Sequence, residues 1–301
     1  MNRTLTGSIF VLFAALGYAF LPIFARLAYR TDVTPFEVLT WRFVIAAGLI
    51  WALWPAWRSR VSLRALSRLD VFTLVGLGGL FALVAYFAFL GLSRLPAPLF
   101  SMLFYTYPAM TALLSLALGE RLPPAAWLAV GLAVIGSALT GLAGGADQAY
   151  NPLDLGLPLL TAASYAVYLV IAQRRTGHLP GLASAVVSIT GSLILLALIS
   201  PLVGLRVPIL AATWWPIAGI AVVSTLFTVL AMFEGIARIG ASRAAILSTV
   251  EPLAVIVLAV LILGERAEPV QYAGGALILV SVLLLNLRIG KTEGKEVRSA
   301  R

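Results

Sequence analysis

The second half of this chain repeats its first half, and both halves are almost entirely apolar. The segment from Phe89 to Pro108 aligns without a gap with the segment from Phe233 to Pro252, and six of the twenty aligned positions are identical. The match resumes one residue out of register, with Gly-Glu-Arg at 119–121 and again at 264–266. Duplication in an apolar chain is typical of secondary transporters, in which two pseudo-symmetric halves surround a site near the bilayer midplane.

Composition places the chain in the membrane. Hydrophobic residues make up 61% of the chain and charged residues 11%, and the mean hydropathy is +1.02. Soluble domains carry about a quarter charged residues, so these values indicate a polytopic membrane protein. The chain has no cysteine, which excludes disulfides and thiolate metal sites.

Ten apolar segments have the length of membrane helices. They lie at residues 8–28, 35–54, 71–92, 97–118, 124–142, 153–173, 180–200, 213–235, 242–263 and 269–287. Because each half holds an odd number of spans, the second copy must insert upside down relative to the first. We therefore predict an all-α membrane protein of ten transmembrane helices in two inverted five-helix repeats, at 1–145 and 146–290, followed by a cytoplasmic tail at 291–301.

The basic residues predict the orientation of these spans. Most Arg and Lys residues, including Arg58, Arg60, Arg64 and Arg68, fall in loops on one side and in the tail. By the positive-inside rule both termini face the cytoplasm. We attribute the net charge of +9 to these basic residues, which act as topology signals and contact the lipid bilayer. We therefore expect no nucleic-acid partner.

Two charged residues lie about two turns or more from the ends of the predicted spans, where a charge is costly unless it is paired or wetted. Arg42 lies in the second span, where it is either a cation for a substrate carboxylate or a structural ion-pair and interface residue. Glu251 lies in the ninth span, where it either carries a coupling proton or binds backbone groups or a neighbouring arginine. Both alternatives remain open for each residue.

Prolines predict interruptions of three spans, because a proline within a helix leaves a carbonyl without its donor. We expect helix breaks at Pro22, Pro108 and Pro252. Pro108 and Pro252 occupy equivalent positions in the two repeats, so the breaks would place free backbone groups near the midplane from both halves.

Aromatic and hydroxyl side chains complete the predicted substrate cavity. A tyrosine at membrane depth must satisfy its hydroxyl, which favours a position inside the bundle. Such a position means either substrate contact or packing. The candidates, together with Arg42 and Glu251, are Tyr18, Tyr86, Tyr105, Tyr107, Ser164, Tyr165, Tyr168, Thr228 and Ser248.

Sequence signals for enzymatic chemistry are sparse. His178 is the only histidine and lies in a loop, which excludes a histidine-based triad and a multi-histidine metal cage in the membrane. No glycine run continues into the Lys-Ser/Thr of a phosphate-binding loop. We therefore expect no enzymatic activity, no cofactor and no metal.

The motifs resemble those of a known family. Arg42-Phe43 in the second span, Tyr107-Pro108 through Gly119-Glu120-Arg121, and Glu251-Pro252 through Gly264-Glu265-Arg266 are similar to the EamA-type branch of the drug/metabolite transporter superfamily. The resemblance covers essentially the whole chain. The first copy has one residue fewer than the second between its proline and its Gly-Glu-Arg motif.

The resemblance implies a function and a location. It implies a multi-pass protein of the bacterial inner membrane, a monomer or weak dimer, that exports small metabolites through a central cavity. An aromatic cavity with few charges is similar to exporters of neutral and aromatic amino acids. The alternatives are a proton-coupled antiporter of lipophilic cations and, less favoured, a non-transporting membrane scaffold. Glu120 and Glu265 are expected to be structural.

Overall fold

A computed structural model shows a helical bundle. It describes residues 3–58, 63, 66–119, 124–142, 150–176, 179–239, 244, 247–248, 250–265 and 268–299. Within these ranges the regular structure is helical and no strand occurs. The predicted all-α fold is confirmed.

The helices of the first half account for its five predicted spans. They are α1 (Arg3–Ala28), α2 (Pro35–Ala52), the short α3 (Trp54–Trp57), α4 (Arg68–Arg94), α5 (Ala97–Phe104), α6 (Tyr107–Ala117) and α7 (Pro124–Leu142). α5 and α6 together form the fourth span, because the chain leaves the helix only at Tyr105 and Thr106 between them.

The second half follows the same plan. Its elements are α8 (Pro152–Thr176), α9 (Gly181–Val203), α10 (Ala211–Ala221), a π-helical segment (Val222–Phe227), α11 (Thr228–Ile239), α12 (Val250–Leu258), a second π-helical segment (Ala259–Leu263) and α13 (Pro269–Ser299). α10, the first π segment and α11 form one continuous span. α13 continues beyond residue 287, where the predicted span ends.

Seven of the described helices are long and apolar enough to cross a membrane, and three shorter apolar helices lie at Trp127–Thr140, Val250–Leu263 and Pro269–Leu284. Together they fit the ten predicted helices. Helices suit such apolar segments because lipid offers no partner for a free N–H or C=O. Where a helix begins near water, side chains complete the bonding: Thr34 forms a capping box with Glu37, and Ser67 forms one with Asp70.

Two predicted proline breaks have different outcomes. α1 runs without interruption from Arg3 to Ala28 through Pro22, so the break predicted at Pro22 is absent. The last turns of α1 pack against helices of the other half, and such neighbours keep a helix continuous at a proline. The fourth span is interrupted at Tyr105 and Thr106, directly before Tyr107 and Pro108.

Contacts between helices recur when each helix is replaced by its equivalent in the other half. In this exchange α1 corresponds to α8, α2 to α9, α4 to α10–α11, α5–α6 to α12, and α7 to α13. The contact of α4 with α8 has its counterpart in α1 with α10 and α11, and that of α5 and α6 with α8 in α12 with α1. Equivalent helices also meet directly, α7 on α13 and α2 on α9. This pattern is what a two-fold axis between the halves requires.

Small residues allow a close crossing between the halves where α4 meets α9. A Cβ atom at Gly191 would lie 2.6 Å from the carbonyl oxygen of Val75, and one at Gly78 would run into the backbone of Ser188. The hydroxyl of Ser192 donates to the Gly78 carbonyl at 2.7 Å. Such small-residue contacts are the usual way in which membrane helices approach each other.

The two Gly-Glu-Arg motifs begin with the same backbone conformation. Gly119 has φ +92° and Gly264 has φ +72°, both in the left-handed region that favours glycine. Gly264 directly follows a helical span, and Gly119 follows one after the capping residue Leu118. The repeat therefore extends to the local geometry that ends the fourth helix of each half.

We expect Gly78→Ala to lower the stability of the protein, because the added methyl group meets the backbone of Ser188 across the α4–α9 crossing. Overpacking of this kind costs about 1–3 kcal/mol. Gly76→Ala is the matched control, since a Cβ atom there meets nothing within 4 Å and alanine is the better helix former by about 1 kcal/mol. Thermal unfolding of the purified variants in detergent measures both. Equal melting temperatures would contradict the close crossing.

Candidate functional site

The interruption of the fourth span exposes the side chains that the candidate site uses. Pro108 has no N–H and its ring opposes the carbonyl of residue 104, so α5 ends at Phe104 and α6 begins at Tyr107. Tyr105 is 7% exposed and Thr106 is 4% exposed, so the turn lies inside the protein. The Thr106 hydroxyl donates to the Leu103 carbonyl at 2.8 Å, and the Thr106 N–H donates to the same oxygen at 3.2 Å.

Four tyrosines meet at this turn, and we call Tyr105, Tyr107, Tyr165 and Tyr168 the tyrosine cluster. The ring centroids of Tyr107 and Tyr165 lie 5.0 Å apart, edge to face, and those of Tyr105 and Tyr107 lie 6.0 Å apart. Tyr165 stacks on Tyr168 at 5.8 Å, one turn away on α8. Aromatic walls from both halves therefore line one region between α5–α6 and α8.

Glu251 brings an acidic group to the tyrosine cluster. It lies in the first turn of α12, at the position that Tyr107 occupies in the first repeat. Its carboxyl lies close to the Tyr105 hydroxyl. Tyr18 and Tyr107 lie within electrostatic range of the same carboxyl.

Arg42 brings a positive charge into the same region. Its side chain is 4% exposed, and its guanidinium lies 5.2 Å from the ring centroid of Phe43 and 5.7 Å from that of Phe89. Nε donates to the Thr225 hydroxyl at 3.0 Å, and that hydroxyl in turn donates to the Ile220 carbonyl at 2.9 Å. Among the carboxylates that the structure describes, none forms an ion pair with Arg42.

Tyr18 lies close to both charges. Its hydroxyl interacts electrostatically with both Glu251 and Arg42, and also with Tyr168. A row of rings, Phe43 with Phe81 at 6.3 Å and Phe81 with Tyr168 at 5.3 Å, connects the Arg42 side to the tyrosine cluster. The region thus offers a cation, an acid and aromatic faces contributed by both halves.

Ion pairs between the halves hold one end of the bundle together. They are Arg26 with Glu265 at 2.8 Å, Arg94 with Asp154 at 2.7 Å, and Arg206 with Glu37 at 2.9 Å. These residues lie where α1 and α4 end, where α2 and α8 begin, and in two loops on the same side. We call this side the clamped end.

Uncharged contacts reinforce the clamped end. The Thr213 hydroxyl donates to the Thr31 hydroxyl at 2.9 Å, and the rings of Trp41 and Trp214 meet at 5.2 Å. Both contacts join the first half to the second. According to the predicted orientation, the clamped end is the outer one.

Comparison with known proteins assigns the family. Residues 5–142 and again residues 155–287 match the EamA-like transporter family. The chain belongs to the EamA-like transporter family. The predicted family is confirmed, and the match to each half agrees with the duplicated sequence.

Similar full-length proteins bear names of the same kind. An "Uncharacterized transporter sll1319" of Synechocystis is 30% identical over 330 aligned positions, covering 98% of this chain and 97% of the relative. "Uncharacterized transporter YcbK" of Bacillus subtilis is 27% identical, with the same coverage of 98% and 97%. A protein of known crystal structure shares the fold, with a TM-score of 0.64 and 22% identity over 95% of this chain and 98% of that one.

In this EamA-family protein, some of the predicted cavity residues come together and others do not. The group that meets between the halves consists of Tyr18, Arg42, Tyr105, Tyr107, Tyr165, Tyr168 and Glu251. Ser164 is half-buried beside Tyr165, and Tyr86 packs against the hydrophobic core. Thr228 donates to the Val223 carbonyl at 2.6 Å and Ser248 to the Ala244 carbonyl at 2.9 Å, so their hydroxyl protons are held by their own helices.

The structure adds residues that the sequence did not suggest. Phe89 and Thr225 hold the Arg42 guanidinium, and Phe81 links it to the tyrosine cluster. Phe89 was visible as an identity between the repeats, but no pattern marked Thr225. Its position depends on the π segment, which turns the hydroxyl toward Arg42. Glu120 lies outside the described residues.

We expect Thr225→Val to lower the stability of the protein by about 1–3 kcal/mol, because the isosteric side chain takes away the acceptor of a buried charged donor. Thr225→Ser keeps the hydroxyl and should retain most of the stability. Thermal unfolding in detergent compares the two variants. If valine and serine were equally tolerated, the Arg42–Thr225 hydrogen bond would not contribute to folding.

Proposed function

We propose that this protein exports small metabolites across the bacterial inner membrane, and that neutral and aromatic amino acids are its preferred substrates. The observation that carries the proposal is the site itself, in which Arg42 and Glu251 approach Tyr18 beside the tyrosine cluster. Family membership supports transport as the activity. The two charges and the rings support the substrate class.

The site matches a zwitterion with an apolar side chain. Among the described residues, the Arg42 side chain forms one hydrogen bond, from Nε to Thr225. Its two terminal nitrogens therefore suit a substrate carboxylate. Glu251 and the Tyr105 hydroxyl suit an ammonium group. The faces of Tyr107, Tyr165 and Tyr168 then pack against the side chain of an amino acid.

The architecture supports alternating access as the mechanism. The site lies between halves whose contacts follow a two-fold exchange, and the fourth span is already interrupted at Tyr105–Thr106. The clamped end closes one side. Toward the other end, a small cleft of about 40 Å³ with apolar walls lies between α2, α9, the first π segment and α11, and includes Thr225, the partner of Arg42. Rocking of the halves would exchange the closed and open sides.

A second candidate function is proton-coupled antiport of lipophilic cations. It is favoured by one observation, namely that the Glu251 carboxyl lies among tyrosine rings, which also attract organic cations. In this mechanism Glu251 exchanges a proton for the cation. The two functions differ in whether transport needs a titrating Glu251.

Reconstituted protein in liposomes should take up labelled tryptophan, phenylalanine and other neutral amino acids without an imposed pH gradient, because the substrate gradient suffices for a facilitated exporter. Glu251→Gln should then retain uptake with a higher KM, since the amide still accepts a hydrogen bond. Glu234→Gln is the matched control, because Glu234 pairs with Arg238 away from the tyrosine cluster. Counting radioactivity in filtered liposomes measures uptake.

The same liposomes separate the two candidate functions. Uptake of a lipophilic cation such as tetraphenylphosphonium that requires a pH gradient and disappears in Glu251→Gln would favour the antiporter. Absence of both amino acid and cation uptake would exclude both.

Locking the clamped end should arrest transport. The hydroxyls of Thr31 and Thr213 lie 2.9 Å apart across the two halves, so Thr31→Cys with Thr213→Cys should form a disulfide on oxidation. The native chain has no cysteine, so no other disulfide competes. We expect uptake to fall at least about ten-fold in the oxidised protein and to return on reduction. Each single cysteine variant is the control, and full uptake through the cross-linked protein would rule out gating at this end.

A further inference from the structure

Glu265 makes two contacts at the clamped end, and both reach across to the opposite half of the chain. Its Oε1 accepts from Nε of Arg26 at 2.8 Å, and its Oε2 accepts from the backbone N–H of Ala97 at 2.7 Å. The side chains of Arg26 and Glu265 are 29% and 13% exposed. Glu265 belongs to the second half, and both partners belong to the first.

The contact with Ala97 is a helix cap supplied by the opposite half. Ala97 is the first residue of α5, and Pro96 before it makes no side-chain cap. The next residue, Pro98, has no N–H. A carboxylate at a helix N-terminus satisfies a free donor and interacts favourably with the helix dipole. Glu265 therefore does for α5 what the Thr34 side chain does within α2.

α5 connects this cap to the candidate site. It is a helix of 8 residues, or about 12 Å at 1.5 Å per residue. Its last residue, Phe104, packs against Tyr107 at 5.2 Å and Tyr165 at 5.7 Å, and Tyr105 follows directly. A short rigid element thus has Glu265 at one end and the tyrosine cluster at the other.

The remaining ion pairs of the clamped end lack this connection. Arg94 and Asp154 join α4 to α8, and Arg206 joins its loop to Glu37 on α2. The Arg94 and Arg206 side chains are 50% and 63% exposed, so water screens them more than it screens Glu265. Neither pair contacts α5 in the hydrogen bonds of the described residues.

We propose that Glu265 is a positioning residue that couples closure of the clamped end to the placement of α5 in the site. While Glu265 holds Arg26 and caps Ala97, the end is closed and Tyr105 faces Glu251. When the carboxylate leaves, the halves separate at Arg26 and α5 loses its cap in the same step. This inference rests on the proposed function, since only a transport cycle requires that the end open.

Two reporter positions in purified protein test the coupling without a substrate. Thr213→Cys, 1% exposed at the contact between halves, reports opening of the clamped end; Ser101→Cys, 5% exposed within α5, reports displacement of that helix. The cysteine-free chain makes each label unique. The rate of reaction with a hydrophilic maleimide is measured for each reporter in detergent.

The variants separate the ion pair from the cap. Glu265→Ala removes both contacts and should speed labelling at both reporters about five-fold or more. Arg26→Gln removes the ion pair, together with the hydrogen bond from Arg26 to the Leu92 carbonyl, but keeps the cap, and should speed labelling at Thr213→Cys alone. Asp154→Asn, which breaks an ion pair unconnected to α5, should leave Ser101→Cys unchanged. Glu265→Gln is nearly isosteric and serves as a variant that should still fold. Its neutral amide weakens the cap, so we expect an intermediate increase in the labelling rate at both reporters.

The outcomes distinguish this inference from the proposed function. Unchanged labelling of Ser101→Cys in Glu265→Ala, or an equal increase in Asp154→Asn, would overturn the coupling even if amino acids are transported. In liposomes, Glu265→Ala should also raise the KM for the transported amino acid more than Asp154→Asn does. If no amino acid is taken up, the proposed function fails, while the two labelling rates still decide whether Glu265 links the clamped end to α5.

Discussion

A chain in hydrocarbon must satisfy its own backbone hydrogen bonds, and this constraint shapes the whole molecule. It makes the described spans helical and confines each interruption to the interior. The turn at Tyr105 and Thr106 is almost fully buried, and the hydroxyl and the N–H of Thr106 both donate to the Leu103 carbonyl. The same demand explains why Thr225 donates to the Ile220 carbonyl in the π segment. An interruption that is costly in lipid is thus placed where the halves meet and where its side chains form the candidate site.

The charged side chains between the halves form two groups, one at the clamped end and one in the interior. At the clamped end, opposite charges from the two halves pair directly, in partly exposed positions where each pair is individually weak. In the interior, Arg42 and Glu251 form no ion pair with each other, and Tyr18 lies in the field of both. Unpaired opposite charges beside aromatic rings suit a ligand that carries both charges. α5 joins the two groups, because Glu265 caps its first residue and Tyr105 follows its last residue.

Prediction from sequence succeeded where the information is local or repeated. The apolar segments predicted the helices, and the motifs repeated in both halves resembled the family that each half matches. The tyrosine cluster could be anticipated because Tyr107 precedes a proline that recurs in the second repeat. In addition, Ala-Ala-Ser-Tyr-Ala at 162–166 aligns with Ala-Leu-Gly-Tyr-Ala at 15–19, which makes Tyr165 the repeat equivalent of Tyr18. The expectation of a break at Pro22 was wrong. Helix continuity at a proline depends on the helices packed around it, and the local sequence does not show which helices these are. Thr225 was missed because nothing local to it indicates a π segment.

By itself the sequence determined the class of protein, its helices, its two halves and its family, because apolar length, duplication and motif spacing are properties of the chain alone. Only the tertiary structure decided which side chains meet. Arg42 and Thr225 are 183 positions apart, and Arg26 and Glu265 are 239 positions apart. Contacts of that range depend on how helices of the two halves cross, which small residues such as Gly78 and Gly191 allow. The site lies between the halves, so it exists only when both are packed together.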